Sequence, residues 1–256
     1  MNKKKKQILV FGLSANPPTS TGGHAGIVSF FAKHQHETLK FDEIWILPVF
    51  QHMFASKKGL APFENRMDMA RMVFEPLSDK ATVTVSDLEK TLKEESSQGS
   101  IGIGTVDVVQ HLRQTYPHAD FSLVLGTDTY LDLCAGKWKN GDMLHKIVRI
   151  VVISRKGAGF AEQQEQKEQG AAYEATHVVI PSLTEVSSTA VRNSSDRNFL
   201  KNALQPDVLD YIIQHKLYGF AEAQKEAAPP TCTGHPQTCP PNEMSDTPPA
   251  SLPASI

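Results

Sequence analysis

The chain has 256 residues, a formal net charge of −2 at pH 7 and an apolar fraction of 40%. This length is sufficient for one α/β domain of ordinary size, and the charge gives no basic surface of the kind that binds nucleic acid. Three cysteines are too few for a disulfide framework. The apolar segment that follows the N-terminal lysines is too short for a signal sequence or a membrane span. We therefore expect a cytoplasmic protein that does not bind nucleic acid or a membrane.

Apolar runs of strand length alternate along the chain with segments of helical periodicity. Continuous apolar strands between helices are typical of a parallel sheet covered on both faces. The sequence therefore predicts a Rossmann-like, doubly wound α/β fold, in which ligands bind beyond the carboxyl ends of the strands, where the strand order reverses. The predicted strands are 8–11, 44–49, 82–85, 121–125, 147–153 and 177–180, and the predicted helices are 25–36, 63–74, 105–115 and the stretch after Asp128.

The composition predicts one domain with a terminal extension on either side. Residues 1–6 form a basic N-terminal extension and residues 7–220 form the domain. Residues 221–256 are rich in proline, threonine and serine without apolar periodicity, so we expect a disordered tail. The polar stretch 161–170 is either a solvated helix or an insertion. The tail carries Cys232, His235 and Cys239, one ligand fewer than a structural zinc site normally has, and no metal-ligating set is predicted.

The first strand continues into a loop that delivers a histidine to the start of a helix. Pro17 and Pro18 stiffen the exit from the strand, and Gly22 and Gly23 would let the backbone approach a ligand closely. His24 would then lie at a helix N-terminus, where free N–H groups and the helix dipole attract anions such as phosphate. The alternative is an ordinary helix entry capped by a histidine. No Walker loop occurs in the sequence.

A second candidate anion site is the segment VSSTAVR, residues 186–192. Ser187, Ser188 and Thr189 are good helix-capping residues and would offer hydroxyl and N–H groups to a phosphate. Arg192, one turn further on, could add a charge-assisted contact. The alternative is an ordinary capped helix. Together with the glycine loop, this segment could hold a triphosphate from two sides.

Five segments in order resemble the nicotinate/nicotinamide mononucleotide adenylyltransferases, a family of the histidine-signature nucleotidyltransferase superfamily. The opening motif of that family is approximated here with about three extra loop residues and with Ala15 in place of phenylalanine. Either Thr19 or Thr21 fills its first His/Thr position, and the distance to His24 favours Thr21. The resemblance spans residues 7–218 and rests on Gly12, Asn16, Pro17, Thr21, Gly23 and His24 and on the segments 48–70, 126–138, 150–157 and 186–192.

The resemblance implies transfer of the adenylyl group of ATP to a pyridine mononucleotide, by direct in-line attack with release of pyrophosphate. A phosphate monoester is already ionised near neutral pH, because its second pKa is about 6, so no general base is needed. Mg²⁺ is expected to arrive with the ATP phosphates, and a homo-oligomer is possible. The alternatives are another nucleotidyltransferase of the superfamily, acting on phosphopantetheine or as a cytidylyltransferase, and a nucleotide-binding regulator without turnover.

The resemblance also assigns site residues. Asp128 would bind a ribose hydroxyl or, alternatively, cap the next helix, and Trp138 would stack on the pyridine ring or belong to the core. Gly102 stands where the family has an acid-recognising threonine, so the choice between nicotinate and nicotinamide is not predicted. The catalytic residues would be His24, Thr21 and Arg192; the ATP-binding residues Gly12, Leu13, Ser14, Gly23, His24, Gly126, Asp128, Arg155, Ser187, Ser188, Thr189 and Arg192; and the mononucleotide-binding residues Asn16, Lys57, Gly102, Thr105 and Trp138.

Overall fold

A computed structural model of the chain describes residues 4–51, 59–96, 102–155 and 174–220. The polar stretch 161–170, the tail 221–256 with its two cysteines, and Lys57 lie outside the described residues. Lys6 already belongs to the first strand, and Lys5 Nζ lies 3.1 Å from Asp120 Oδ1. The first strand thus includes the last residue of the segment 1–6.

The described residues form one sheet of six parallel strands in the order β3-β2-β1-β4-β5-β6. This order and orientation confirm the predicted Rossmann-like fold, and each predicted strand lies within two residues of an observed one. The strands are β1 Lys6–Leu13, β2 Glu43–Pro48, β3 Thr82–Val85, β4 Ala119–Gly126, β5 Arg149–Arg155 and β6 Thr176–Ile180.

Helices connect these strands and cover both faces of the sheet. Three short 3₁₀ turns accompany them, at Glu75–Leu77, Gly141–Met143 and Leu217–Gly219. The sequence reading did not predict the helices at Leu88–Glu95, Leu144–Ile147, Arg197–Ala203 and Pro206–Gln214. The helices are α1 His24–Ala32, α2 Phe63–Phe74, α3 Leu88–Glu95, α4 Thr105–Thr115, α5 Thr127–Cys134, α6 Leu144–Ile147, α7 Ser188–Arg192, α8 Arg197–Ala203 and α9 Pro206–Gln214.

Two hydrophobic cores lie on the two faces of the sheet. One packs β-strand side chains against α1, α2, α8 and α9, and the other packs them against α4, α5 and α6. Helix α1 contributes Ala25, Val28, Phe31 and Ala32, which recur on one face of the helix and are fully buried. This packing fixes the start of α1 directly beyond the carboxyl end of β1.

The strand order reverses at β1, which pairs with β2 on one side and with β4 on the other. The loops that follow β1 and β4 therefore flank the position at which doubly wound folds bind ligands. Among the helices described here, none combines the length and the apolar character that crossing a membrane requires.

Candidate active site

The loop after β1 holds His24 through a buried threonine. Thr19 Oγ1 accepts a hydrogen bond from the His24 backbone N–H at 2.9 Å and lies 2.8 Å from His24 Nδ1. The Thr19 backbone N–H donates to the same Nδ1 at 3.2 Å. Because Nδ1 accepts a backbone N–H, this hydrogen-bond network assigns the proton of the neutral ring to Nε2. The loop therefore fixes the tautomer that makes Nε2 a donor.

The first turn of α1 differs from the predicted open anion site. Thr19 takes the His24 N–H on its hydroxyl and the Ala25 N–H on its carbonyl oxygen, the latter at 3.1 Å. The Gly23 N–H donates to the Ser20 carbonyl at 2.8 Å. The expectation that these N–H groups are free for a phosphate is therefore wrong.

The geometry favours Thr19 over Thr21 for the position that supports His24. Thr19 is completely buried and contacts the ring, whereas Thr21 is exposed. The sequence preference for Thr21 assumed a short distance along the chain, but the loop folds back so that the more distant threonine reaches the histidine.

The two loop glycines make room for protein rather than for a ligand. A Cβ on Gly23 would overlap the Thr19 hydroxyl, and a Cβ on Gly22 would lie 2.5 Å from Thr184 Oγ1. The Gly22 carbonyl accepts the Thr184 N–H at 2.8 Å. Both glycines therefore allow the loop to pack tightly on itself and on the segment that precedes α7.

Helix α7 docks on the same loop, so the two predicted motifs come together. Ser188 Oγ donates to the Pro17 carbonyl at 2.7 Å, and Arg192 Nη1 donates to the Asn16 carbonyl at 2.7 Å. Arg192 Nη2 also donates to Thr189 Oγ1 at 3.2 Å. The Ser188 hydroxyl therefore serves as a bridge to the loop, which differs from its predicted role as a phosphate donor.

The helix cap predicted in VSSTAVR is present at Ser187. Its side-chain oxygen accepts the Ala190 N–H at 3.1 Å. Ser188 and Thr189 then form the first two positions of α7, where no earlier helical carbonyl can accept their N–H groups. This arrangement is compatible with the predicted anion-binding role of the segment.

Asn16 is buried and positions the loop. Its Nδ2 donates to the Gly59 carbonyl at 3.1 Å, and its Oδ1 accepts the Ala61 N–H at 3.0 Å and the Tyr218 hydroxyl at 2.8 Å. The peptide bond between Asn16 and Pro17 is cis. Burial raises the pKa of Tyr218 above its ordinary value, so the phenol remains a donor to Asn16. These bonds differ from the predicted contact between the Asn16 side chain and the mononucleotide.

The carboxyl ends of β1 and β4 leave open space between the two loops. A Cβ built on Gly12 or on Gly126 would have no described heavy atom within 4 Å. Leu13 is buried beneath this edge. Asp128 is exposed at the second position of α5, while Gly126 occupies the cap position. Asp128 therefore does not occupy the helix-cap position, and its role as a cap is wrong.

Arg66 of α2 ties the ends of two strands together, a role that sequence reasoning missed. It is 1% exposed, and Nη1 donates to the Ser14 carbonyl at 2.8 Å and to the Val49 carbonyl at 2.6 Å. Nη2 reaches the Phe50 carbonyl at 3.2 Å and Nε the Ala61 carbonyl at 3.0 Å. Desolvation lowers the pKa of this guanidinium. The sequence signal for this role was a single arginine among the residues on the buried face of α2.

The other predicted mononucleotide-binding residues that the structure describes are Gly102, Thr105 and Trp138. Gly102 has φ +50° in the turn before α4, and Thr105 is the first residue of that helix. Trp138 is half-buried against the core of α4, α5 and α6. Arg155 ends β5, but its side chain lies outside the described residues, as does Lys57.

Gly102 lines a small pocket that contains a second residue missed by sequence reasoning, Glu89 of α3. The pocket is lined by Phe50, Gln51, Glu89, Lys93, Gly102 and Ile103. Burial raises the pKa of Glu89 to about 7, although the Phe50 N–H and the charge of Arg66 oppose that shift. A carboxyl group that titrates near neutral pH therefore borders the predicted acceptor region.

Comparisons with known proteins agree with this arrangement. The profile of the cytidylyltransferase-like family matches residues 11–194. A probable nicotinate-nucleotide adenylyltransferase of Myxococcus xanthus is 30% identical over 84% of this chain and 95% of its own length. A relative of the same name from Anaeromyxobacter dehalogenans is 30% identical over 83% of this chain and 97% of its own length.

Solved structures show the same fold. The nicotinic acid mononucleotide adenylyltransferase of Plasmodium falciparum, complexed with APC, has a TM-score of 0.62 at 24% identity and covers 84% of this chain and 98% of its own. Its complex with NaAD has a TM-score of 0.63 with the same coverage. Given the extent of the family match and the 30% identity over most of the chain, this nucleotidyltransferase belongs to the cytidylyltransferase-like family, among the nicotinate-nucleotide adenylyltransferases.

Proposed function

We propose that the protein transfers the adenylyl group of ATP to nicotinate mononucleotide, giving a dinucleotide and pyrophosphate. The observation that carries this proposal is the docking of α7 on the glycine loop through Ser188 and Arg192. These bonds tie the helix that carries Thr189 and Arg192 to the loop that leads from β1 to His24, and doubly wound folds bind nucleotides beyond this end of the sheet. The names of the curated relatives support nicotinate as the acceptor.

In this proposal the protein aligns two anions and stabilises the charge that develops between them. One oxygen of the acceptor phosphate attacks the α-phosphorus of ATP, and the bond from that phosphorus to the bridging oxygen of pyrophosphate breaks. The attacking phosphate is ionised near neutral pH, so no residue has to remove a proton. Alignment of such partners can contribute on the order of 7–11 kcal/mol.

The residues near the carboxyl ends of β1 and β4 and at the start of α7 each have a role in this scheme. His24 donates from Nε2 to the oxygens around the α-phosphorus, and Thr19 holds the ring in the donor tautomer. Arg192 and the first N–H groups of α7 stabilise the departing pyrophosphate. Gly12 and Gly126 leave room for the nucleotide, and Asp128 accepts from a ribose hydroxyl.

Mg²⁺ fits this scheme as an ion carried by the substrate. The described residues include no group of three histidine, cysteine, aspartate or glutamate side chains that could hold a metal. Mg²⁺ commonly keeps its waters and binds substrate phosphates, where it would neutralise part of their charge. No protein cage is needed for that role.

A coupled assay of pyrophosphate release tests the proposal. The purified chain is given ATP and Mg²⁺ with nicotinate mononucleotide, nicotinamide mononucleotide or phosphopantetheine in parallel. We expect the highest kcat/KM with nicotinate mononucleotide. Turnover confined to phosphopantetheine, or ATP binding without product from any acceptor, would contradict the proposal.

A further inference from the structure

The segment after β2 is held by one residue from each of two helices. Glu89 Oε2 of α3 accepts the Phe50 N–H at 3.0 Å. Arg66 of α2 donates to the carbonyls of Val49 and Phe50 at 2.6 and 3.2 Å. The Phe50 ring packs edge-on against Phe63, with 5.0 Å between their centroids. Both polar groups of Phe50 and its ring are therefore fixed where the chain leaves the sheet.

Glu89 also faces the turn before α4. With Phe50 and Gln51 on one side and Gly102 and Ile103 on the other, it lines the small pocket described above. The charged groups that face it among the described residues are Arg66 from α2 and Lys93 from its own helix. Glu89 thus bonds to the segment after β2 and shares a small pocket with the Gly102 turn.

We propose that Glu89 is a positioning residue for the acceptor site: by holding Phe50 it sets the distance between the segment after β2 and the Gly102 turn. This inference rests on the proposed function, because Gly102 and Thr105 border the acceptor only if the acceptor is a pyridine mononucleotide. Glu89 acts through backbone groups, so its loss should weaken acceptor binding and leave ATP binding at the other loops unchanged.

Steady-state kinetics with each substrate varied in turn test this role in Glu89→Ala, Glu89→Asp and Glu89→Gln. The first variant removes the acceptor of the Phe50 N–H, and the second withdraws it by one methylene. We expect both to raise the KM for nicotinate mononucleotide about fivefold or more, with the KM for ATP and kcat within about twofold. Glu89→Gln retains an oxygen that can accept the same N–H, so its acceptor KM should stay within about twofold of the original.

The exposed Glu95→Ala, on the same helix, is the matched control and should leave both KM values unchanged. An unchanged acceptor KM in Glu89→Ala, an equal rise in both KM values, or an equally impaired Glu89→Gln would each overturn the proposal. If Glu89→Ala does not fold, the contrast between the aspartate and glutamine variants decides.

Amide hydrogen exchange separates this inference from the proposed function. We expect the Phe50 amide to exchange faster in Glu89→Ala and Glu89→Asp than in Glu89→Gln, while amides of β1 stay protected. If the unaltered chain makes no dinucleotide, the proposed function fails. If it makes the dinucleotide but exchange at Phe50 is the same in all variants, the role of Glu89 fails.

Discussion

Thr19 and His24 are joined by three contacts: the threonine hydroxyl accepts the histidine backbone N–H at 2.9 Å and lies 2.8 Å from the ring Nδ1, and the Thr19 backbone N–H donates to the same Nδ1 at 3.2 Å. The same hydroxyl thus begins helix α1 and contacts the ring, while the Thr19 backbone N–H fixes the tautomer of that ring. A structural role and a chemical role are combined in one buried residue.

Replacing Thr19 with valine tests this pairing, because valine keeps the shape and removes the hydroxyl. The His24 N–H loses its acceptor, and leaving a buried donor unpaired costs about 1–3 kcal/mol. We expect a lower free energy of unfolding by about that amount and a fall in kcat of about tenfold. Chemical denaturation and the pyrophosphate assay measure the two effects. The exposed Thr21→Val is the control and should change stability by less than about 0.5 kcal/mol. Larger losses of stability and kcat in Thr21→Val than in Thr19→Val would show that Thr21, and not Thr19, supports His24.

Replacing His24 with alanine tests whether the imidazole acts on the phosphates. Loss of one donor to a developing charge typically lowers kcat about 10²–10³-fold. We expect a loss of that size, with a folded protein by circular dichroism. Glutamine or asparagine at this position, which can still donate, should restore part of the rate. A rate near the original in His24→Ala would show that the ring does not take part.

The open space above Gly126 predicts a graded effect of side-chain size. The residue has φ −74° and ψ 160°, which any amino acid can adopt, and its Cβ would meet no described atom within 4 Å. We expect alanine, valine and leucine at this position to raise the KM for ATP in that order without lowering the melting temperature. A loss of stability that follows side-chain size would mean that protein, rather than the nucleotide, fills this space.

Arg66 should matter far more to stability than its neighbour Arg71. Replacing Arg66 with methionine leaves the carbonyls at the ends of β1 and β2 without their donor, and we expect a loss of about 2–4 kcal/mol. Arg71→Met, on the same helix with 46% of its side chain exposed, should cost less than about 0.5 kcal/mol. Urea unfolding of both variants makes the comparison. Equal losses would contradict the anchoring role of Arg66.

The raised pKa of Glu89 predicts a pH-dependent stability. Its carboxyl titrates at about 7 in the folded chain and at its ordinary value of 4.5 when unfolded. The folded state therefore binds more protons between these values, and its contribution to stability falls as pH rises from about 4.5 to 7. At about 1.36 kcal/mol per pKa unit, the change is at most about 3–4 kcal/mol. We expect unfolding curves of Glu89→Gln to lack this part of the pH dependence. If the difference in free energy of unfolding between the original protein and Glu89→Gln stays constant across this pH range, the pKa of Glu89 is not raised.

The fold could be predicted from the sequence because its signals are local. Strands such as Arg149–Arg155 contain continuous apolar runs, and the alternation of such strands with helices indicates a parallel sheet. The two site motifs were also visible, since glycines and hydroxyl residues at a helix start are local features. Helix α3 was missed because it carries only two apolar side chains at helical spacing, Leu88 and Leu92, which pack against the core, and such a short pattern is a weak helix signal.

The hydrogen-bond and packing partners of the site residues could not be predicted, because they depend on contacts between distant segments. Nothing in the sequence indicates that Gly22 faces Thr184 or that Ser188 bonds to Pro17, 171 residues away. The sequence likewise does not show that the side-chain amide of Asn16 forms its hydrogen bonds within the protein. The roles of Arg66 and Glu89 were missed for a related reason. Each role depends on burial of the side chain, whereas a charged residue in a helix is normally exposed.

The hydrogen bond from Tyr218 to Asn16 joins residues 202 positions apart. During synthesis the first strand leaves the ribosome long before its loop can acquire this partner or the α7 contacts. A nascent chain therefore carries its histidine in an unfinished setting until nearly the whole domain has emerged. Adenylyl transfer should accordingly switch on late and abruptly, so chains released early would be inert rather than partly active.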